Sequence, residues 1–207
     1  MIPRLYAIAD AELLAAREIP LESFARELLS AGVELIQYRD KSRSPQAILR
    51  AASLLREVFA GTSTRLILND RADLAVLADF DGVHVGQSDL SPEDARRVIG
   101  PTRIVGVSTH TDAQVIAAVL TPADYIAIGP AFATSTKQNP DPVVGLEGIR
   151  RARALTTKPL VAIGGITCAN ARGVLSAGAD SVAIISALFS PGETVAQVAR
   201  DFLSLLR

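Results

Sequence analysis

The chain is poor in the residues that build covalent cross-links and sulfur-ligated metal sites. Its 207 residues include one cysteine, Cys168, and two histidines, His84 and His110. A single cysteine excludes intramolecular disulfides, and it leaves a cysteine-based zinc site without enough ligands. Cys168 also has no neighbouring partner residue in the sequence that would make it a nucleophile.

The sequence also lacks an excess of charge and any long apolar segment. The net charge of −1 gives no basis for binding nucleic acid or an acidic membrane surface. No apolar segment approaches the ~20 residues that span a bilayer, and Met1-Ile2-Pro3-Arg4-Leu5 does not resemble a secretory signal. We therefore expect a cytoplasmic protein with no nucleic-acid or membrane partner, in which any anion site is local.

Hydrophobic residues make up 49% of the chain and occur in short runs that predict buried strands. Most runs are continuous rather than alternating, as expected of parallel strands covered on both faces. Stretches with helical spacing lie between them, and Ser44-Pro45 and Ser91-Pro92 have the form of helix starts. The predicted strands are 5–9, 33–38, 66–68, 82–85, 104–107, 125–128, 160–163 and 181–185, and the predicted helices are 21–29, 47–59, 73–77, 92–99, 113–120, 146–155, 169–175 and 195–206.

This alternation of eight strands with helices predicts the fold class α/β, as a single compact (β/α)8 TIM barrel over residues 1–207. The alternative is an open doubly wound sheet, which more often carries a G-x-G-x-x-G turn after its first strand. Here Ala7-Ile8-Ala9-Asp10 occupies that place without a glycine. The sequence therefore favours the barrel.

Polar residues concentrate after the predicted strands, where the active sites of such barrels are built. Gln37, Arg39 and Lys41 follow the second strand and share one of its faces, whereas Tyr38 and Asp40 point to the other face. An arginine fork, a lysine and an amide together suit a phosphate or diphosphate. A solvated edge strand is the alternative explanation of so short a cluster.

Asp70 and Asp89 follow the third and fourth predicted strands, which are neighbours in a barrel. Two converging carboxylates, completed by phosphate oxygens and water, are the usual arrangement for Mg²⁺. Alternatively, Asp70 caps the next helix and Asp89 closes a turn. The adjacent basic cluster favours a metal site.

Two further loops have features of phosphate sites. Gly164-Gly165 follows the seventh predicted strand and Ser186 follows the eighth, where barrels of this kind often bind phosphate. Lys137 lies in a hydroxyl-rich loop after the sixth strand and is either a ligand of the same anion as Arg39 or an exposed loop lysine.

The two histidines are weaker candidates. His84 lies in the middle of a predicted strand and is expected to be packed rather than to act as a base. His110 lies nearer the mouth of the predicted barrel, where a position at a helix N-terminus explains it as well as chemistry does.

In combination and in order, the motifs resemble the thiamine-phosphate synthase (thiamin phosphate pyrophosphorylase) family. The resemblance spans essentially the whole chain. The motifs that carry it are Gln37-x-Arg39-x-Lys41, Asn69-Asp70, His84-x-Gly86-Gln87-x-Asp89, Gly106-x-Ser108-x-His110-Thr111, Gly129-Pro130, Thr134-x-Thr136-Lys137 and Gly164-Gly165-Ile166.

The resemblance implies a transferase with two small phosphorylated substrates and a Mg²⁺ cofactor. The enzyme would join hydroxymethylpyrimidine diphosphate to hydroxyethylthiazole phosphate, with Arg39, Lys41 and Lys137 stabilising the departing pyrophosphate. The implied pyrimidine diphosphate site is Gln37, Tyr38, Arg39, Asp40, Lys41, Asn69, Ser108 and Lys137; the implied thiazole phosphate site is Thr134, Ser135, Thr136, Gly165, Ile185 and Ser186; the implied metal ligands are Asp70 and Asp89.

Three other functions remain open for a barrel of this kind. A thiazole tautomerase would need an acid–base group and carries a histidine where this chain has Pro130. A non-catalytic regulator could lose the metal pair, which is present here. A sugar-phosphate isomerase would need a base deep in the mouth. The sequence does not decide the oligomeric state, and a homodimer is one option.

Overall fold

Eight parallel strands close into a barrel whose strand order follows the chain. The structure is a computed structural model that describes residues 2–41, 44–134 and 141–207. The elements are β1 (Leu5–Asp10), α1 (Ala11–Ala16), α2 (Leu21–Ala31), β2 (Leu35–Arg39), α3 (Pro45–Val58), β3 (Arg65–Asn69), α4 (Ala72–Leu77), β4 (Gly82–Val85), α5 (Pro92–Ile99), β5 (Ile104–Thr109), α6 (Asp112–Val119), β6 (Tyr125–Ile128), α7 (Gly145–Leu155), β7 (Leu160–Ile163), α8 (Cys168–Ser176), β8 (Ser181–Ile184), a 3₁₀ turn (Ser186–Leu188) and α9 (Val195–Leu205).

The (β/α)8 prediction is confirmed, and the doubly wound alternative is excluded because β1 pairs with β8 in parallel, with Leu5 opposite Val182. Several strands run further at their carboxyl ends than the sequence predicts, since β1 ends at Asp10, β2 at Arg39 and β3 at Asn69. β5 extends to Thr109, so that Ser108 belongs to the strand. The helix α1 was not predicted.

Side-chain alternation along the strands divides the apolar residues into two layers. In β1, Ala7 and Ala9 face the helices, whereas Tyr6 and Ile8 face the barrel interior. The interior layer consists of Tyr6, Ile8, Leu35, Ile67, Tyr125, Ala127, Val161 and Ala183. Gln37 and His84 are among the six polar side chains that are buried in the described part of the chain. Within the part of the chain that the structure describes, no helix is both long and apolar enough to cross a membrane.

Three aspartates make the same type of hydrogen bond at the amino ends of the strands. Each directly precedes an even-numbered strand, and its carboxylate accepts a hydrogen bond from a backbone N–H of the preceding odd-numbered strand. The bonds join Leu66 N to Asp81 Oδ2 (2.7 Å), Val105 N to Asp124 Oδ2 (2.7 Å) and Leu160 N to Asp180 Oδ2 (2.8 Å). These contacts fix adjacent strands at the end of the barrel opposite the predicted site.

The substitution Asp180→Ala should lower the free energy of unfolding by about 1–3 kcal/mol, because the Leu160 N–H loses its acceptor and Arg153 loses an ion-pair partner at 2.9 Å. Urea denaturation measures the loss. The matched control is Glu147→Ala, which breaks an exposed pair with Arg150 and should cost less than about 1 kcal/mol. Equal effects of the two substitutions would contradict a special role for Asp180.

Candidate active site

A cavity of about 480 Å³ lies at the carboxyl ends of the strands and extends into the barrel. Its inner part is lined by apolar side chains, among them Ile8, Ala127, Val161 and Ala183, and by the buried polar side chains of Gln37 and His84. Polar side chains from the loops after β2, β3, β4 and β5 surround the mouth. The cavity therefore combines a space for a planar apolar ring with a charged rim.

Strand β2 delivers the basic cluster to this rim. Gln37, Arg39 and Lys41 all line the cavity. Tyr38 and Asp40 do not belong to the cavity lining that the described residues form, since the Tyr38 ring packs in the layer between strands and helices. The Tyr38 hydroxyl donates to Asp40 Oδ2 at 3.2 Å. The alternation expected from the sequence thus brings three of these five side chains together and turns two away.

Arg39 is held by an acidic partner from the neighbouring strand. Its guanidinium forms an ion pair with the buried carboxylate of Asp10, at the end of β1. The other oxygen of Asp10 accepts a hydrogen bond from Leu13 N at 3.0 Å and so caps α1. One carboxylate therefore anchors both the first helix and the cation that faces the cavity.

The carboxylates of Asp70 and Asp89 lie close enough to repel each other. Burial, reinforced by Asp89, raises the pKa of Asp70 to about 6, although Lys41 opposes the shift with its Nζ 3.3 Å from Asp70 Oδ2. Helix α4 has no side-chain cap at its N-terminus, so capping does not explain Asp70. Asp89 does close a turn, since its Oδ2 accepts from Gly86 N at 2.8 Å.

This pair fits a hard cation that shares its ligands with a bound anion. The described residues contain no group of three or more acidic, histidine or cysteine side chains able to hold a metal by themselves. Two neighbouring carboxylates that repel each other suit Mg²⁺ when phosphate oxygens and water complete its coordination shell.

Asn69, the residue before Asp70, also lines the cavity, and its buried Nδ2 has no hydrogen-bond partner in the described part of the chain. A bound acceptor would satisfy it.

The glycine pair after β7 adopts a backbone that only glycine tolerates there. Gly164 and Gly165 have φ of 98° and 64°, and a Cβ on Gly165 would lie 2.5 Å from the carbonyl oxygen of Ala133. The Gly165 carbonyl accepts from Asn170 Nδ2 at 3.0 Å. The pair lines the cavity. This geometry brings the loops after β6 and β7 into contact beside the mouth.

The comparisons with known proteins identify one family. Residues 5–188 match the model of a protein family described as "Thiamine monophosphate synthase". The chain is 53% identical over 207 residues to the thiamine-phosphate synthase of Koribacter versatilis, covering 99% of this chain and 96% of that protein. It is 39% identical over 203 residues to the thiamine-phosphate synthase of Chloroflexus aurantiacus, covering 98% and 92%.

A solved structure gives the same result. The thiamine phosphate pyrophosphorylase from Pyrococcus furiosus is 32% identical and has a TM-score of 0.86, covering 98% of this chain and 95% of that one. The chain belongs to the thiamine-phosphate synthase family. This is a family of transferases, and the resemblance seen in the motifs is confirmed.

Most side chains that the family resemblance assigned to substrates or metal line the cavity. Ser135, Thr136 and Lys137 lie outside the described residues. The assigned residues that line the cavity are Gln37, Arg39, Lys41, Asn69, Asp70, Asp89, Ser108, Thr134, Gly165, Ile185 and Ser186.

Sequence reasoning missed Asp10 and the two tyrosines inside the barrel. Asp10 had a usable signal, since it is a polar residue at the end of a strand, like the other rim residues. Tyr6 and Tyr125 are inward-facing by strand alternation, but their contact joins residues 119 positions apart. His84 is buried as expected, yet it also lines the cavity and contacts Ser108.

His110 lies at the rim in a backbone-anchored position. Its Nδ1 is 2.7 Å from the carbonyl oxygen of Gly129, and its Nε2 is 3.4 Å from Asp141 Oδ2. The side-chain cap of α6 comes from Thr111, which accepts from Gln114 N at 3.2 Å. His110 therefore precedes the cap and lines the cavity.

The substitution Asp10→Asn should release Arg39 while preserving the cap of α1, because asparagine caps helices as well as aspartate does. We expect kcat/KM for the diphosphate substrate to fall by at least about tenfold, with unchanged circular dichroism. Steady-state kinetics measures the loss. Asp112→Asn, which weakens an exposed pair with Arg151, is the charge-matched control, and an equal loss in it would contradict the role of Asp10.

The contribution of His84 to stability should depend on pH. Burial lowers the pKa of His84 to about 4, against about 6.5 in an unfolded chain, so the unfolded state binds the proton preferentially between these values. The wild-type protein should therefore lose stability relative to the His84→Gln variant as the pH drops through this window. The difference in the free energy of unfolding should change by up to about 1.4 kcal/mol for each pH unit. Urea denaturation at several pH values measures it. A pH-independent difference would contradict a depressed pKa.

Proposed function

We propose that this protein condenses hydroxymethylpyrimidine diphosphate with hydroxyethylthiazole phosphate, giving thiamine phosphate and pyrophosphate in a Mg²⁺-dependent reaction. The observation that carries the proposal is the juxtaposition of the Asp70–Asp89 pair with Arg39 and Lys41 on one rim. Below this rim the cavity is lined by apolar side chains together with Gln37 and His84. The family membership supports the same reaction.

The diphosphate is assigned to the cationic side of the rim. Arg39 and Lys41 supply charge, while Asn69 Nδ2 and the Ser108 hydroxyl supply neutral donors. Gln37, deeper in the barrel, faces the space assigned to the pyrimidine ring. Lys137 completes this set as a prediction from the sequence. Tyr38 and Asp40 are not part of it.

The thiazole phosphate is assigned to the loops after β6, β7 and β8. Thr134, Gly165, Ile185 and Ser186 line the cavity on this side. Hydroxyl groups and backbone N–H groups bind phosphate without adding charge. Ser135 and Thr136 are included from the sequence. The two substrates would then meet above the apolar part of the cavity.

Asp70 and Asp89 would hold Mg²⁺. The bound ion would neutralise charge on the diphosphate and make it a better leaving group. Lys41, which contacts Asp70 at 3.3 Å, lies where it can bind the same anion.

The proposed route is dissociative, and the cationic groups at the rim support it. The bond between the pyrimidine methylene and the diphosphate oxygen breaks, and its electron pair leaves with the diphosphate. Arg39 and Lys41 stabilise this anion electrostatically. The lone pair of the thiazole nitrogen then forms the new C–N bond to the methylene cation. No proton is removed from the nucleophile, so the reaction needs no protein base.

A tautomerase would need an acid–base group at position 130. Pro130 lines the cavity there and cannot transfer a proton. His84, also at the cavity, has both ring nitrogens engaged, by Tyr125 and Ser108. The intact carboxylate pair likewise argues against a regulator that has lost the metal.

The direct test is to mix the purified protein with both substrates and Mg²⁺ and to detect thiamine phosphate and pyrophosphate by chromatography. We expect both products in equal amounts and their loss on chelation of Mg²⁺. Absence of product, with folded protein and metal supplied, would overturn the proposed function.

The substitution Asp89→Asn should lower Mg²⁺-dependent turnover by at least about 100-fold and weaken Mg²⁺ binding in calorimetry, with the fold intact. Asp201→Asn removes the same charge from the outer helix α9, at a residue that accepts a hydrogen bond from Gln197 Nε2 at 2.9 Å and does not line the cavity. It should leave both turnover and Mg²⁺ binding unchanged. Unchanged Mg²⁺-dependent turnover in Asp89→Asn would contradict the metal role.

A further inference from the structure

A chain of hydrogen bonds crosses the interior of the barrel from β2 to β5. Gln37 Nε2 donates to the Tyr6 hydroxyl at 2.9 Å, and the Tyr6 and Tyr125 hydroxyls are 3.0 Å apart. The Tyr125 hydroxyl is 2.8 Å from His84 Nδ1, and His84 Nε2 is 2.8 Å from Ser108 Oγ. Five strands contribute one residue each. Both ends of the chain, Gln37 and Ser108, line the cavity.

The middle of this chain is buried, although Tyr6 and His84 touch the inner end of the cavity. Tyr6 and Tyr125 are 1% and 2% exposed, and His84 is buried beside them. Gly106 makes room for the contact, because a Cβ there would lie 2.3 Å from the Tyr125 hydroxyl oxygen. A buried hydroxyl or ring N–H without an acceptor is costly. The protons in the chain must therefore be distributed so that each has an acceptor.

Counting protons gives the chain a direction. Each hydroxyl and the neutral imidazole donate once. Because Tyr6 accepts from Gln37, its own proton goes to Tyr125, and the Tyr125 proton goes to His84 Nδ1. The imidazole proton then resides on Nε2 and is donated to Ser108. If Tyr125 instead donated to Tyr6, the Tyr6 hydroxyl would accept from both Gln37 and Tyr125. Its own proton would then have no acceptor among the residues that the structure describes.

The ionisation of these groups agrees with a chain of neutral members. Burial raises the pKa of both phenols, Tyr6 and Tyr125, above their usual value. Burial also lowers the pKa of His84 to about 4, so the imidazole is neutral at pH 7.

We propose that Tyr125 and His84 are positioning residues that hold Ser108 as a hydrogen-bond donor toward the cavity. A hydroxyl that already accepts from His84 directs its own proton to another acceptor, and Ser108 is the partly exposed member of the chain at the rim. The acceptor that arrives there is an anionic oxygen of the departing diphosphate. This last step rests on the proposed function, whereas the direction of the chain does not.

The direction is tested by ¹⁵N NMR of histidine-labelled protein without substrates. The protein has two histidines, His84 and His110. The variant His110→Gln therefore assigns both sets of histidine signals. We expect His84 as the neutral Nε2–H tautomer. The Nδ1–H tautomer would overturn the proposal, because it would mean that the Gln37 amide is rotated and every donor in the chain is reversed.

The link to Ser108 is tested with Tyr125→Phe, which removes one hydroxyl and keeps the ring. His84 should then populate both tautomers, and kcat should fall by about tenfold with the KM for the thiazole phosphate unchanged. Tyr38→Phe is the matched control for the NMR signal, since the Tyr38 ring packs outside the barrel interior. An unchanged His84 tautomer in Tyr125→Phe would contradict the proposal that the Tyr125 hydroxyl fixes this tautomer.

A double-mutant cycle separates positioning from general packing. If Tyr125 acts through Ser108, the substitution Tyr125→Phe should cost less than about twofold in a Ser108→Ala background. A full tenfold loss in that background would overturn the proposal. Lack of turnover in the wild-type protein would instead overturn the proposed function alone, because the tautomer is read in the ligand-free protein.

Discussion

Closure of the parallel barrel is the constraint on which the rest of the structure depends. Once β1 pairs with β8, every second side chain of each strand must enter a narrow interior. An edge-to-face pair formed by Tyr6 and Tyr125, with ring centroids 6.0 Å apart, fills its centre. Small residues such as Ala127 and Ala183 stand elsewhere in this layer. The cavity is the space that this uneven filling leaves toward the carboxyl ends.

The fold and the rim of the site could both be predicted from the sequence, and for the same physical reason. Continuous apolar runs separated by helical spacing identify parallel strands, and residues directly after such strands must meet at one end of a barrel. Gln37, Arg39 and Lys41 were therefore placed correctly at the mouth by position alone. The same alternation turned Tyr38 and Asp40 away.

What sequence reasoning could not supply depends on contacts between distant segments. Asp10 lies 29 residues from Arg39, and the local sequence around either residue does not predict their ion pair. The contact between His84 and Tyr125 spans 41 residues, so the sequence showed a packed histidine but not its partners. Helix α1 is a different case, because its signal is local: Asp10 directly precedes the helix and caps it, and sequence reasoning overlooked it.

The aspartates at the amino ends of β4, β6 and β8 also bear on how such a barrel assembles. Their bonds to the preceding strands span only 15, 19 and 20 residues, so each closes a short loop at a small entropic cost. Three successive strand pairs can thus acquire their register from nearby contacts. The pairing of β1 with β8 differs from these contacts, because it joins Leu5 to Val182 across nearly the whole chain and so closes a loop at a larger entropic cost.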